Sequence, residues 1–92
     1  MKQKTVEIME SLSEAMKLPS DILAGAPILS MIGQRQLLVE NYKGIIEYTE
    51  ERIRIQTKIG RILVEGTCLN IEYYTVDDMK IIGCITMIQF CE

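Results

Sequence analysis

Pairs of apolar residues recur along this chain every sixteen positions, with one intervening residue inside each pair. The first series consists of Leu37/Val39, Ile53/Ile55, Leu69/Ile71 and Ile85/Met87. The second consists of Ile46/Tyr48, Ile62/Val64 and, one position late, Met79/Ile81. Side chains two positions apart lie on the same face of a β-strand, so the repeat predicts a series of half-buried strands.

The same alternation predicts where strands begin and end. Candidate strands are 28–32, 37–41, 45–49, 52–57, 61–65, 69–74, 79–82 and 85–90. The connectors 41–44 and 57–60 each end in a glycine, which suits the positive φ of tight turns, and Gly66-Thr67 is a possible two-residue turn. Such connectors are too short for the crossovers between parallel strands. We therefore predict a mainly β fold, an antiparallel β-meander or β-roll, with a small β-solenoid as the alternative reading of the period.

The N-terminal part has a different spacing. Within residues 5–18 the apolar positions follow a helical stripe, formed by Ile8, Met9, Leu12, Ala15 and Met16. Pro19 ends the helix, because the residue before proline avoids the α region. We predict an amphipathic α-helix within residues 1–19 and a β domain over residues 20–92, forming one domain overall. The acidic polar face favours packing on the sheet or docking to a protein over binding to an anionic membrane.

Composition argues against most catalytic and metal-binding sites. The chain has 92 residues, three cysteines and no histidine. Without histidine there is no Ser-His or Cys-His dyad, and no C-x-x-C pair is present. The adjacent carboxylates Glu50/Glu51 and Asp77/Asp78 lie at predicted turns, where both face water. We therefore expect no enzyme activity, no catalytic or metal site and no cofactor.

The net charge and the lengths of the apolar runs indicate which partners and which compartment to expect. Net charge is −3, and acidic residues interrupt the basic cluster of the central strands, which argues against a nucleic-acid partner. No apolar run reaches the roughly 18–20 residues that span a bilayer, so we expect a soluble, cytoplasmic protein. A chain this short buries a modest core, and open sheet edges invite pairing, which predicts a homo-oligomer.

The outward-facing positions of the central strands are the candidate partner-binding residues. They are Lys43, Glu47, Glu50, Arg52, Arg54 and Arg61. The alternative is a small-ligand-binding or enzymatic β-roll domain, which would require Tyr48, Tyr73, Arg54 and Glu72 to converge in one pocket.

The central stretch resembles the YabP/YqfC family of sporulation proteins, and it is most similar to the YqfC branch. The resemblance rests on Gly25-Ala26-Pro27, on the block VENYKGIIEYTEERIRI at 39–55, and on Thr57, Gly60 and Val64-Glu65-Gly66. That branch often has histidine where this chain has Tyr42. The resemblance implies a non-enzymatic protein of the mother-cell cytoplasm, acting in spore-envelope development, in the cortex or the coat. It also implies a membrane-associated sporulation partner similar to YqfD, which would hold the protein peripherally at the forespore membrane.

Overall fold

The computed structural model describes residues 25–92, which form six strands in one antiparallel sheet. The strands are β1 (Ile28–Ile32), β2 (Gln36–Glu40), β3 (Tyr42–Tyr48), β4 (Arg52–Thr57), β5 (Gly60–Tyr74) and β6 (Asp78–Cys91). Their order across the sheet is β1-β2-β6-β5-β4-β3, and every neighbouring pair is antiparallel. The predicted antiparallel sheet is confirmed, and the solenoid alternative is wrong because no strands of residues 25–92 stack in parallel rungs. The predicted N-terminal helix lies outside the described residues.

β5 and β6 are each about twice as long as predicted, because two expected breaks are bends within continuous strands. The predicted turn at Gly66-Thr67 is wrong: β5 passes through it with shifts in its register against β6. Cys68 (φ 54°) and Gly83 (φ 136°) adopt positive φ at this level of the two strands. These irregularities bend the β5-β6 hairpin while its backbone remains paired on either side.

Glycine is required at the bend because the two backbones approach closely. A Cβ on Gly66 would overlap the carbonyl oxygen of Cys84. A Cβ on Gly83 would lie 2.6 Å from the carbonyl oxygen of Cys68. Each glycine thus lets its strand lie against the irregular part of the other.

The bend divides the sheet into two halves whose inner faces share one core. The first half contains β3, β4 and residues 60–66 and 84–91; the second contains β1, β2 and residues 69–74 and 78–82. Buried residues of the first half include Ile53, Ile55, Ile62, Val64 and Ile85, and those of the second include Leu37, Val39, Leu69, Met79 and Ile81. The first apolar series is therefore confirmed, except at Met87, which pairs with Glu65 on the outer face and is 39% exposed.

In the second apolar series, Ile46 does not face the core as predicted, because β3 is irregular. Register shifts against β4 occur between Tyr42 and Gly44 and between Ile45 and Glu47. Each extra residue reverses the face on which later side chains lie. Ile45 consequently packs against the core, while Ile46 is 50% exposed.

The predicted turn at 41–44 is also wrong. β2 ends at Glu40 and β3 begins at Tyr42, so Asn41 alone links the two strands, with φ 63°. Gly44 lies inside β3. The turn predicted at 57–60 is confirmed: Gly60 has φ 145°, and the Thr57 hydroxyl donates to the Gly60 carbonyl over 2.8 Å.

Two tyrosines of β3 connect the first half to the second. The buried Tyr42 hydroxyl donates to the carbonyl of Thr75, and its ring lies 5.6 Å from that of Tyr74. The Tyr48 hydroxyl donates to the Asn70 side chain (2.9 Å) and accepts from the backbone N–H of Ile71 (3.0 Å). Burial, reinforced by the neighbouring Tyr74, raises the pKa of Tyr42 to about 12.

We expect Gly66→Ala to lower the free energy of unfolding by about 2–3 kcal/mol, the cost of forcing extra volume into a packed site. Gly44→Ala is the matched control, since a Cβ there meets nothing within 4 Å, and its effect should stay within about 0.5 kcal/mol. Urea denaturation of both variants measures the difference. Equal destabilisation would contradict the requirement for glycine at the bend.

Tyr42→Phe should cost about 1 kcal/mol at neutral pH, because the Thr75 carbonyl loses its donor. The raised pKa means that the fold favours the neutral phenol, so this contribution is present below pH 10 and is lost as pH rises toward about 12. The stability difference between parent and Tyr42→Phe should therefore shrink over that range in urea titrations. At neutral pH the exposed Tyr73→Phe provides the control, with an effect near zero. A parent-to-variant difference that does not change with pH would contradict the assignment.

Candidate functional site

The outer surface of the first half carries a regular set of charged and polar side chains, here called the charged face. Its members are Glu47, Arg52, Arg54, Gln56, Arg61 and Glu65. They occupy the positions between the inward-facing isoleucines, so the alternation that buries the core also sets this surface. Strand pairing places Glu47 opposite Arg54, Arg52 opposite Glu65 and Gln56 opposite Arg61.

Two of the three arginines of the charged face lie beside carboxylates. The Nε of Arg54 is 2.9 Å from Oε1 of Glu47, and the Nε of Arg52 is 4.0 Å from Oε1 of Glu65. The Arg54 Nε is shielded from solvent but is not aligned for a hydrogen bond. Partly exposed pairs of this kind contribute about 0–1 kcal/mol to stability, so their main effect is to hold the side chains in place.

The charged face has an apolar centre. Leu63 points outward, in register with Arg54 on one side and Gln89 on the other, yet it is only 9% exposed. Long polar side chains commonly cover apolar surface with their aliphatic stems while their polar ends stay in water. A partner that displaced the stems of Arg54 and Gln89 would contact Leu63.

A cleft of about 360 Å³ borders the charged face near the β3-β4 turn. It is lined by Glu47, Thr49, Glu51, Arg52, Glu65, Gly66 and Thr86. The turn itself is well anchored, because the Thr49 hydroxyl accepts from the backbone N–H groups of Glu51 (3.2 Å) and Arg52 (2.9 Å). The carbonyl of Glu50 accepts from the N–H of Leu69 over 2.7 Å, which joins the turn to the bend. Three carboxylates therefore stand around one cleft on a fixed backbone.

The structure brings together four of the six predicted partner-binding residues. Glu47, Arg52, Arg54 and Arg61 share the charged face, and Glu50 lies on the adjoining turn. Lys43 is exposed at the first irregularity of β3, outside the paired rows of the charged face. Their role in binding a partner stays a prediction.

Three residues of this surface were not predicted from the sequence as partner-binding residues: Gln56, Glu65 and the central Leu63. Glu65 and Leu63 alternate with the buried Ile62 and Val64, so the same period that placed Arg61 outward could have found them. The four residues required for a ligand pocket do not converge: Arg54 pairs with Glu47 on the first half, whereas Glu72 lies 3.4 Å from Lys80 on the second.

No helix within residues 25–92 is long and apolar enough to cross a membrane.

Comparisons with known proteins agree with the resemblance seen in the sequence. The chain is 23% identical over 92 residues to a Bacillus subtilis (strain 168) protein described as "Uncharacterized protein YqfC", covering 100% of this chain and 99% of that protein. No solved structure shows significant similarity. The sequence profile of the YabP family matches residues 25–92, most of the chain and all of its sheet, and the chain therefore belongs to the YabP family.

Proposed function

We propose that this chain is a non-enzymatic sporulation protein that acts by binding another protein through its charged face. Membership of the YabP family supports a role in sporulation. The observation that supports protein binding is the charged face itself, a pre-positioned set of arginines and carboxylates on paired strands. The partner is a membrane-associated sporulation protein, similar to YqfD, that holds this chain at the forespore surface on the mother-cell side.

The make-up of the charged face suits an interface. Specific interfaces commonly combine an apolar centre with a polar rim, and arginine is enriched in them. Here Leu63 lies at the centre, with Arg52, Arg54 and Arg61 around it. Because strand pairing fixes the backbone, little conformational entropy is lost when a partner binds.

Charge defines the chemistry of a matching surface. The cleft at the β3-β4 turn places Glu47, Glu51 and Glu65 around a space that fits a lysine or arginine side chain. Arg61 lies at the far end of the charged face, where it can meet a carboxylate of the partner. A partner surface with a basic group at one end and an acidic group at the other complements this arrangement, which favours specificity and rapid association.

The protein acts in building the spore envelope, in the cortex or the coat, and it assembles with copies of itself as well as with its partner.

A deletion in the bacterium that encodes it tests the sporulation role. Heat-resistant spore counts should fall while vegetative growth is unchanged. Normal spore counts in the deletion strain would contradict the proposal.

Charge reversal at the charged face provides the sharper test. Arg52→Glu and Lys80→Glu each break one partly exposed ion pair with the same change in charge, but on different halves of the sheet. We expect Arg52→Glu to weaken partner binding on the order of tenfold and to lower spore counts, whereas Lys80→Glu should complement the deletion. Immunoblots of both variants check that their abundance is equal. Equal spore counts at equal abundance would show that the charged face is not the binding surface.

A further inference from the structure

The strand β1 forms one margin of the sheet. It pairs with β2 along its whole length, and within residues 25–92 no strand pairs with its other side. The carbonyl of Ile32 accepts from the N–H of Arg35 over 3.3 Å, so the backbone of Ile32 points toward β2. Backbone groups alternate in direction along a strand, so those of Leu29 and Met31 point away from β2. The outer side of β1 therefore presents the N–H and C=O groups of these two residues.

This margin lacks the features that usually prevent strands from pairing between molecules. Such features are charged side chains, proline and bulges. The opposite margin, β3, has two register shifts and several charged residues. In contrast, β1 is regular, and none of its five side chains is charged. Ile28 is 48% exposed, Met31 43% and Ile32 62%, so β1 is an apolar strand suited to pairing.

The sequence of β1 is complementary to itself. When a second copy is rotated by 180° about Ser30, Ile28 lies opposite Ile32 and Leu29 lies opposite Met31. Leu29 and Met31 are the residues whose backbone groups point outward, so they meet as a hydrogen-bonded antiparallel pair. Their side chains both lie on the inner face of the sheet, and those of Ile28 and Ile32 both lie on the outer face. This register therefore pairs apolar residues on both faces and Ser30 with its own copy.

Two charged residues beside β1 favour the same arrangement. Arg35 lies in the β1-β2 turn next to Ile32, and Glu40 lies opposite Ile28 at the other end of the strand. The rotation brings Arg35 of each copy to the end that carries Glu40 of the other, roughly three strand spacings or about 14 Å away. Both side chains are long, so their charges can approach within the Debye length of about 8 Å and attract. A parallel pairing in the same register would instead bring like charges together.

Another stretch of the sheet also has one open side. Residues 86–91 of β6 pair only with β5. The carboxylate beside that stretch, on Glu65, already lies next to Arg52. Arg35 and Glu40, in contrast, make no ion pair within residues 25–92, and both remain able to attract a second copy. The charges thus favour β1 as the surface that pairs.

We propose that β1 pairs with β1 of a second copy, antiparallel about Ser30, and joins two sheets edge to edge. The inference rests on the self-association proposed above and identifies its surface. None of the residues in this contact belongs to the charged face, so a dimer can still bind the other protein there. One five-residue strand per copy buries far less than the roughly 1,600 Å² of a typical stable interface. The dimer should therefore be reversible and depend on protein concentration.

Sedimentation of the full chain over a wide concentration range tests the proposal. The parent should change from monomer to dimer as concentration rises. Ser30→Lys should raise the dissociation constant on the order of tenfold, because like charges directly opposite each other on paired strands repel. Thr67→Lys is the matched control: it adds the same charge at an exposed position of β5, away from β1, and should dimerise like the parent. Arg52→Glu, on the charged face, should also dimerise like the parent.

A mixture of two variants tests the rotation about Ser30. Ser30→Glu alone should dimerise as weakly as Ser30→Lys, since each places like charges opposite each other. An equimolar mixture should regain the affinity of the parent, because lysine then lies opposite glutamate. Urea denaturation checks that both variants are as stable as the parent. Restored dimerisation in the mixture alone supports the proposal.

Three results would overturn it, and they differ in what else they affect. A parent that stays monomeric at every concentration removes self-association altogether, while partner binding through the charged face is tested separately by the spore counts of Arg52→Glu. A dimer that is insensitive to both Ser30 variants retains self-association but uses another surface. If Gln89→Lys weakens the dimer and Ser30→Lys does not, that surface is the open side of β6.

Discussion

The fold depends on the close approach of two backbones where β5 and β6 bend. Gly66 lies against Cys84, and Gly83 lies against Cys68, at distances that leave no room for a Cβ. A long antiparallel hairpin without this feature would extend as a flat ribbon with one face in water. With it, the two halves of the same sheet bury their inner faces against each other. Residues 25–92 thereby obtain a shared apolar core from one sheet, with the three cysteines in that range unbridged.

The same strands serve the core and the charged face at once. In β4 the buried Ile53 and Ile55 alternate with Arg52 and Arg54, so each charged side chain is one residue from the interior. The backbone that positions the ion pairs is therefore fixed by core packing, and surface substitutions can alter binding chemistry while the fold persists.

Periodicity predicted most of the inward positions, because a period of two reports directly which side chains share a face. It did not predict the bends, since bulges and turns use the same residue types. A glycine such as Gly66 is compatible with both. Tyr42 shows a second limit. Its neighbours indicated a turn, whereas its hydroxyl is buried against Thr75, which lies far along the chain. The charged face was largely predictable by strand alternation, but its cleft depends on a tertiary contact between the β3-β4 turn and the bend.

The single-residue link at Asn41 has a consequence for how the protein reaches its fold. It sends β2 and β3 into different halves, so β2 finds its second neighbour only in β6: Val39 pairs with Met79, forty positions later. The pairings β3-β4, β4-β5 and β5-β6 each join consecutive strands and can form early, whereas β2-β6 is non-local and slow. During synthesis the β1-β2 hairpin leaves the ribosome before its partner strand exists. Completion of the sheet must therefore wait until β6 has been synthesised, and Leu37 and Val39 are exposed to misassociation until then.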